Sequence, residues 1–356
     1  MKVKNYSIYK AVSTLDKPIA DSTHVLPEIS FIVLRIELMN GTEGESYLLS
    51  FQYSPGAIAG ALKDHGERMA GVSVYETGKV YSTFNRLDEY FGDEGINRWA
   101  QSAFNVAMWD AWCKMLGQPI WKVLGTYVTK VPVYGSGGWL SYTSEELIDE
   151  VTGYKKRGFK AVKIKVGSPD WKEDLERLKM VRQSVGNDLQ IMMDANQGMD
   201  VSSALQLSRA AQGLNIYWFE EPVGHTDFSG FQALKRQAGI SLAFGEREYS
   251  TVPLRELLLR NAIDIWQPDL LRIGGVEAWK NSAALAGSFN VPVLPHYYKD
   301  YDVPLLCTIP NGKGAESFDW IDRLIDFPMT VKDGMAYPAD RPGWGFRFRD
   351  NCLTEL

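Results

Sequence analysis

From Val131 onward the chain alternates short β-rich runs with segments of helical length and pattern. The runs cover residues 131–135, 161–167, 189–196, 216–222, 241–246, 264–269, 291–296 and 313–317. Strand–helix units repeated in this way form a parallel sheet through right-handed crossovers, and eight units close into a barrel. The pattern therefore predicts a protein of the α/β class with a (β/α)8-type barrel. The last crossover, residues 297–311, contains Pro304 and Pro310, so we expect irregular structure there.

The chain before the barrel has a different organisation. Residues 3–12, 29–38 and 45–50 predict strands, with an Asn40-Gly41 hairpin signal before the third strand. Residues 13–27 predict a polar loop that carries Asp21 and His24, and residues 96–116 predict a helix. We therefore predict an α+β capping domain over residues 1–125, a barrel over residues 126–320, and a tail, residues 321–356, that returns to the cap.

Composition excludes several classes of function. The net charge of -6 is spread without a basic block, which argues against a nucleic-acid partner. The N-terminus lacks the apolar core of a signal peptide, and the most apolar stretch is interrupted by Arg35 and Glu37, so we expect no membrane partner. The three cysteines have no metal-type spacing and are odd in number, so we expect a cytoplasmic protein.

Ionisable groups stand at the ends of the predicted barrel strands. Parallel barrel strands end on one face, where the active sites of this fold lie, so these groups are expected to converge. They are Lys163 and Lys165 on one strand, then Asp194, Glu220, Glu246, Asp269, His296 and Glu316 on the strands that follow. Successive groups from Lys165 onward are 20 to 29 residues apart, about one strand–helix unit. The regular spacing favours one shared catalytic site.

Asp194, Glu220 and Glu246 predict a metal site. Three carboxylates held close together repel one another unless a cation lies between them, and hard oxygen ligands favour Mg²⁺. The alternative interpretation is a helix N-cap for Asp194 and surface charges for the two glutamates. Glu221 has the opposite strand parity to Glu220 and is the alternative ligand.

Lys163 and Lys165 lie two residues apart, so their side chains share one face of a strand. They are either an ordinary solvated pair or a catalytic pair. A lysine flanked by a second cation has a lowered pKa, so Lys165 is predicted to act as a general base near neutral pH. His296, with Asp269 to hold one ring nitrogen, is a second candidate base across the barrel, the alternative being a core histidine.

Together these groups suit removal of a proton next to a carboxylate. That step places a second negative charge on the carboxylate, which Mg²⁺ and Lys163 would stabilise as an enediolate. Glu316 is predicted to hydrogen-bond a substrate oxygen that gains charge, the alternative being that it only orients a neighbouring side chain.

These residues resemble the mandelate racemase subgroup of the enolase superfamily. The matching motifs are the Lys-x-Lys of KIKVG, MDANQ, FEEP, the Gly-Glu at 245–246, QPDLLRIGGV and the Pro-His at 295–296. The resemblance covers the whole chain and implies a (β/α)7β-type modified TIM barrel with an N-terminal α+β capping domain completed by the C-terminal tail. Within the subgroup, SGGWL (136–140) and the loop leading into LPEISFIVLRI are similar to acid-sugar dehydratases of the galactarate/talarate kind. Arg272 departs from the pattern, since lysine is frequent at that position.

The resemblance implies Asp194, Glu220 and Glu246 as Mg²⁺ ligands, with Lys165 and the His296–Asp269 pair as bases on opposite faces of the substrate. It also implies that Lys163 contacts the substrate carboxylate, that Glu316 hydrogen-bonds the enediolate, and that the 13–27 loop closes over the site. The candidate substrate-binding residues are Asn196, Asp21, His24, Trp139, Arg86 and Tyr298.

The leading interpretation is a Mg²⁺-dependent dehydratase of a sugar acid, an aldarate or an aldonate, that forms a 2-keto-3-deoxy acid. A racemase or epimerase of a 2-hydroxy acid and a lactonising cycloisomerase would use the same catalytic groups. A non-catalytic sugar-acid-binding protein is less favoured, because such a protein would have lost part of the catalytic set. The expected partners are a small acid-sugar substrate and further copies of the chain, as a dimer or an octamer.

Overall fold

The computed structural model describes residues 1–92 and 94–356. The chain begins with three antiparallel strands, β1 (Val3–Ala20), β2 (Val25–Leu38) and β3 (Glu43–Leu49). They are followed by the helices α1 (Pro55–Glu67), α2 (Thr77–Asp88), α3 (Ile96–Met115) and α4 (Ile120–Val123), with a 3-10 helix at Glu89–Phe91. The helix α3 packs directly on β3, and its middle is buried because Ala100, Ala103 and Ala107 allow a close approach.

The expected loop over residues 13–27 is wrong. The strands β1 and β2 continue through most of it as one long hairpin, and only residues 21–24 form the connecting turn. Pro18 suggests a loop because proline cannot donate to a strand ladder. The pairing shifts register between Thr14 and Ile19, and this irregularity accommodates the proline inside the hairpin. The turn, which we call the cap tip, is thereby carried to the barrel.

The barrel strands are parallel and run in the order of the sequence. They are β4 (Val131–Gly137), β5 (Ala161–Lys165), β6 (Gln190–Asp194), β7 (Ile216–Glu220), β8 (Ser241–Phe244), β9 (Ile265–Trp266) and β10 (Ala315–Ser317). Strand β10 pairs with β4 and so closes the ring. The predicted run 291–296 contributes Val293, which bridges Trp266 and Gly312. Pro292 and Pro295 flank it and lack the N–H groups of a regular strand.

Helices on the outside connect these strands. They are α5 (Ser144–Lys156), α6 (Trp171–Val185), α7 (Val201–Ala210), α8 (Phe228–Gln237), α9 (Thr251–Leu259), α10 (Leu270–Ile273), α11 (Val276–Ser288) and α12 (Lys299–Leu306), with a 3-10 helix at Gln212–Leu214. Helix α12 lies in the crossover expected to be irregular and contains Pro304. Inside the ring, buried side chains such as Tyr134, Met192 and Trp218 form a packed core. This core leaves room for a site only at the strand ends.

The tail joins the barrel to the cap. Its strands are β11 (Ile325–Asp326), β12 (Thr330–Lys332), β13 (Met335–Tyr337), β14 (Arg347–Phe348) and β15 (Thr354–Glu355), with a 3-10 helix at Asp350–Cys352. Strand β13 extends the sheet at β4, and β15 pairs with β1 of the cap. The Phe348 N–H donates to Glu45 at 2.7 Å, so the tail completes the capping domain. Every helix in the described part of the chain is too short or too polar to cross a membrane.

Candidate active site

Three charged side chains are brought together by strand register at the C-terminal end of the barrel. Lys165 on β5 pairs with Asp194 on β6, and Asp194 pairs with Glu220 on β7. All three side chains are buried. Because a register slip would turn each side chain to the other face of its strand, the backbone pairing itself defines this arrangement.

Lys163 is surrounded by carboxylates of the protein. Its Nζ lies 2.6 Å from Glu316 Oε1, 2.8 Å from Glu220 Oε1 and 3.6 Å from Asp194 Oδ2. Burial lowers the pKa of Lys163, but Glu220 and Glu316 outweigh this effect and raise it well above its usual value. Lys163 is therefore a permanent cation that holds carboxylates from three strands.

Lys165 does not have the lowered pKa that its neighbour Lys163 suggested, and that prediction is wrong. Its Nζ lies 2.6 Å from Asp194 Oδ2. Burial and Lys163 both lower the pKa of Lys165, yet the Asp194 carboxylate outweighs them, so the net shift is upward. The sequence showed the second cation but not how close the carboxylate would lie.

His296 and Asp269 form the predicted pair. The His296 Nδ1 lies 2.9 Å from Asp269 Oδ2, and the Asp269 Oδ1 accepts the backbone N–H groups of Leu271 and Arg272, each at 2.9 Å. Burial lowers the pKa of His296, but Glu246 and Asp269 raise it by more, so the imidazole binds a proton more tightly than a free histidine. A histidine oriented in this way can donate a proton to a substrate.

Glu246 lies among cations. Its carboxylate is 3.4 Å from His296 Nε2, 3.4 Å from Arg247 Nη2 and 3.7 Å from Arg272 Nη1. Burial raises the pKa of Glu246, but His296 and the two arginines lower it by more, so the group is a carboxylate. Glu316 is a carboxylate for a similar reason, since Lys163 and His296 lower its pKa against the effect of burial. As a carboxylate, Glu316 can accept a hydrogen bond but has no proton to donate to a substrate oxygen.

The remaining acids are crowded. Burial raises the pKa of Glu220 to about 7, with Lys163 opposing it and Asp194 adding to it. Burial and Glu246 raise the pKa of Glu221 to about 8. The buried Oε1 of Glu221 and Oδ1 of Asn196 have no hydrogen-bond partner among the described residues. Excess carboxylate charge and orphaned oxygens beside it fit a cation with oxygen ligands.

The three predicted metal ligands do not point at one centre in this arrangement. Among the described residues, no group of three or more His, Cys, Asp or Glu side chains is gathered as a metal site. Asp194 turns to Lys165, Glu220 to Lys163 and Glu246 to the arginines and His296. To hold one metal ion, these carboxylates, which lie at the ends of β6 and β7 and two residues beyond β8, would have to leave their present ion pairs.

One cavity of about 290 Å³ lies over the strand ends, and Lys163, Lys165, Glu246, Asp269, His296 and Glu316 line it, whereas Asp194 and Glu220 do not. Of the predicted substrate-binding residues, it is lined by Asp21, His24, Trp139, Asn196 and Tyr298. The Tyr298 hydroxyl accepts the Leu49 N–H at 3.0 Å and so also joins barrel to cap. Arg86 does not reach the cavity and is exposed on α2. It lies outside the buried stripe of that helix, which consists of Thr77, Val80, Phe84 and Asp88.

Several lining residues were not predicted from the sequence. Arg247 follows Glu246 directly, and this adjacency was an available signal. Phe318 and Trp320 stack on each other with ring centroids 4.3 Å apart, and Trp139 stacks on Trp320 at 6.0 Å. The aromatic pair lies just beyond β10, so only the closing of the barrel brings it to the first strand's loop.

Family comparisons agree with this geometry. The N-terminal domain model of mandelate racemase / muconate lactonizing enzyme matches residues 5–125. The model described as enolase C-terminal domain-like matches residues 146–352. The chain belongs to the mandelate racemase/muconate lactonizing enzyme family of the enolase superfamily. The predicted family and the predicted barrel with its capping domain are thereby confirmed.

Relatives of this enolase-superfamily member catalyse different reactions. The 3,6-anhydro-alpha-L-galactonate cycloisomerase of Streptomyces coelicolor is 30% identical, over 92% of this chain and 91% of the relative. The L-talarate/galactarate dehydratase of Salmonella typhimurium, solved with Mg and L-lyxarohydroxamate, has a TM-score of 0.94 at 27% identity, covering 100% of this chain and 94% of that one. A racemase from Streptomyces coelicolor with bound magnesium has a TM-score of 0.92 at 28% identity, covering 97% of each chain.

Proposed function

We propose that this protein is a Mg²⁺-dependent dehydratase of a sugar acid, which forms a 2-keto-3-deoxy acid. The observation that carries the proposal is that Lys165 and the His296–Asp269 pair line the same cavity. Lys165 comes from the second strand of the ring and His296 from the seventh strand position, so the two groups reach a substrate from different sides. The relatives that are dehydratases of sugar acids support the same assignment.

The metal would be held by Asp194, Glu220 and Glu246. When bound, Mg²⁺ supplies positive charge that binds the substrate carboxylate and offsets the crowded acids. Lys163 adds a fixed cation beside them. The raised pKa values of Glu220 and Glu221 support this placement, because burial raises each of them and neighbouring carboxylates add to the shift, and a bound cation would offset both effects.

In this proposal Lys165 and His296 carry out the two proton transfers of a β-elimination. With Asp194 engaged as a metal ligand, its charge would no longer hold the proton on Lys165, and the neutral amine takes the proton from the carbon next to the substrate carboxylate, so that the electron pair moves into the enediolate. His296 gives its proton to the 3-hydroxyl group, which leaves as water as the carbon–carbon double bond forms. The enol then tautomerises to the 2-keto-3-deoxy acid. The elimination is anti if the two residues divide the roles, and syn if His296 performs both.

Racemisation and lactonising cycloisomerisation are the alternatives, since both begin with the same proton abstraction. The His296–Asp269 hydrogen bond favours dehydration, because Asp269 orients the imidazole and stabilises its protonated form, which is the acid that a departing hydroxyl needs.

The test is a screen of mono- and diacid sugars with Mg²⁺, followed by 2-keto acid formation and by solvent-deuterium exchange in NMR spectra. We expect keto-acid formation that EDTA abolishes and Mg²⁺ restores. Exchange without keto acid would favour a racemase or epimerase, and a lactone or cyclised product would favour a cycloisomerase. Full activity after removal of the metal would contradict the metal assignment.

A further inference from the structure

The cap tip, residues 21–24, holds one carboxylate against the cavity. The Asp21 Oδ1 accepts the backbone N–H groups of Thr23 and His24, each at 2.7 Å. These bonds close a compact turn around the Asp21 side chain, which is 10% exposed. Both Asp21 and His24 line the cavity. The turn therefore presents Asp21 to a substrate in one defined orientation.

The barrel determines where this turn sits. The Ser22 Oγ donates to the Ala195 carbonyl at 2.5 Å, next to the strand-end Asp194. Ser22 occupies a slot between Gly167 and Gly198, where an added Cβ would lie 2.8 and 2.5 Å from the Ser22 Cβ. The Ala20 carbonyl also accepts the Leu140 N–H at 2.8 Å. The position of Asp21 thus follows from contacts with three barrel loops, those after β4, β5 and β6.

Asp21 carries a negative charge in this position. Burial raises the pKa of Asp21, but the contact with His24 and the charge of Lys165 lower it by more, to about 2. The capping domain contributes several other side chains to the cavity, and apart from His24 they are apolar or uncharged, such as Leu26, Leu49, Ser50 and Trp99. Among the described lining residues, Asp21 is the carboxylate that the cap adds, and His24 is the basic side chain.

The two arginines of the cavity come from the barrel and are already paired. The Arg247 Nε donates to Glu221 at 3.0 Å, and its Nη2 is 3.4 Å from Glu246. The Arg272 Nη1 donates to the Glu246 carbonyl at 2.8 Å, and its guanidinium lies over Trp99. The charges of the two arginines are paired with acids at the strand ends, whereas the cap side of the cavity contributes the Asp21 carboxylate, the His24 imidazole and otherwise uncharged side chains.

Building on the proposed sugar-acid dehydration, we infer that the site selects a sugar acid with a single carboxylate over the diacid of the same stereochemistry. An ionised carboxylate such as Asp21 accepts hydrogen bonds from sugar hydroxyl groups. The same group repels a second substrate carboxylate, and a pair of like charges in a partly buried site costs several kcal/mol. The substrate carboxylate has its counter-charges at the strand ends, and the hydroxylated chain runs past Asp21 toward the apolar cap wall.

The first test compares matched pairs such as D-gluconate with D-glucarate and D-galactonate with galactarate. We expect kcat/KM to be at least about tenfold higher for the monoacid of the preferred pair, the ratio that 1.4 kcal/mol produces. Equal or higher kcat/KM for the diacid would overturn the inference while leaving the dehydratase intact. Calorimetric binding of the same pairs to the Mg²⁺-loaded protein gives the order of affinities even without turnover. If no pair forms keto acid, the proposed function fails, and the binding order still decides the selectivity.

The second test changes the charge alone. Asp21→Asn keeps the acceptor oxygen that closes the turn and removes the negative charge. We expect the diacid-to-monoacid ratio of kcat/KM to rise by about tenfold, with the melting temperature unchanged. Asp16→Asn is the matched control, because Asp16 is exposed on the same hairpin and does not line the cavity, so its ratio should equal that of the wild type. A ratio unchanged by Asp21→Asn would refute the role of Asp21.

Discussion

The strand-end cluster of the barrel and the cap tip both face the cavity, but they are held in different ways. The strand-end cluster consists of the eight groups from Lys163 to Glu316 named above. Strand register and ion pairs with neighbouring members hold its buried side chains, as with Lys163 between Glu220 and Glu316. The cap tip, in contrast, is positioned by one turn, one slot and a few backbone bonds.

Because of this difference, we expect the barrel cluster to govern the proposed proton transfers and the cap tip to govern which substrate binds. A backbone shift at these strand ends would break the strand pairing, so the groups that we propose to react start from defined positions. The tip depends on contacts at Ser22 and Ala20, and we expect a change there to alter which substrate fits more than it alters the proposed proton transfers. Relatives that share the barrel while catalysing dehydration, cycloisomerisation and racemisation are consistent with such a division.

The largest expected effect comes from the cluster. We predict that Lys165→Ala and His296→Asn each lower kcat by about 10²- to 10⁴-fold, because each removes a proton-transfer group. Lys165→Arg should be equally inactive, since arginine keeps the charge beside Asp194 but does not lose a proton. Steady-state kinetics and melting temperatures, measured together, separate lost chemistry from lost folding.

The matched control for this prediction is Lys160→Ala, since Lys160 is exposed just before the same strand. It should retain wild-type kinetics. Normal turnover by both Lys165→Ala and His296→Asn would show that the assigned bases are wrong.

A smaller effect is expected at the slot for the cap tip. Gly198→Ala places a Cβ 2.5 Å from the Ser22 Cβ and 3.1 Å from the Ala195 carbonyl, which should displace the tip. We predict that kcat/KM falls by about tenfold, mostly through KM, because a displaced tip weakens substrate binding more than the chemical step. Kinetics with the best substrate from the screen provide the measurement.

Ser22→Gly in the Gly198→Ala background supplies the decisive comparison. Removing the Ser22 side chain relieves the clash, so the double variant should recover part of the lost activity. Gly153→Ala is the control, since no atom lies within 4 Å of its added Cβ. If Gly198→Ala behaves like Gly153→Ala, the tip does not occupy this slot in solution.

The smallest expected effect is on stability, and it involves Glu150, a buried residue next to the barrel loop that contacts the cap tip. Glu150 accepts the Gly138 N–H at 2.6 Å, in the loop on which the tip docks. Burial raises the pKa of Glu150 to about 7 from 4.5. Between these values the folded state binds more protons than the unfolded state, so this group's contribution to stability falls as the pH rises from about 4.5 to about 7.

Glu150→Gln keeps the acceptor and removes this titration. We predict that it becomes more stable than the wild type by about 1–3 kcal/mol above pH 7, with a smaller difference near pH 5, as measured by urea unfolding at each pH. Asp149→Asn, at an exposed position on the same helix, should follow the wild-type profile. A stability difference that does not change with pH would show that Glu150 does not titrate in this range.

The barrel and its capping domain could be predicted from the sequence because both depend on local patterns. The strand–helix rhythm and the charged strand ends recur at nearly constant intervals, and parallel strands must end on one face. That is why the eight groups from Lys163 to Glu316 were named in advance, and all of them except Asp194 and Glu220 line one cavity. The hairpin over residues 13–27 was missed because its residues are polar, which is typical of a loop, and only the pairing of β1 with β2 shows that they extend the strands.

What the sequence determined by itself was the set of charged groups and their common face, since strand periodicity is a local property. Only the tertiary structure decided their electrostatic state. The direction of the Lys165 pKa shift depends on a 2.6 Å contact with Asp194, a residue from another strand. The tertiary structure also decided that Arg86 stays outside the cavity and that Asp21 reaches it. Distances between residues remote in the chain set both Coulomb energies and access, and no local pattern encodes them.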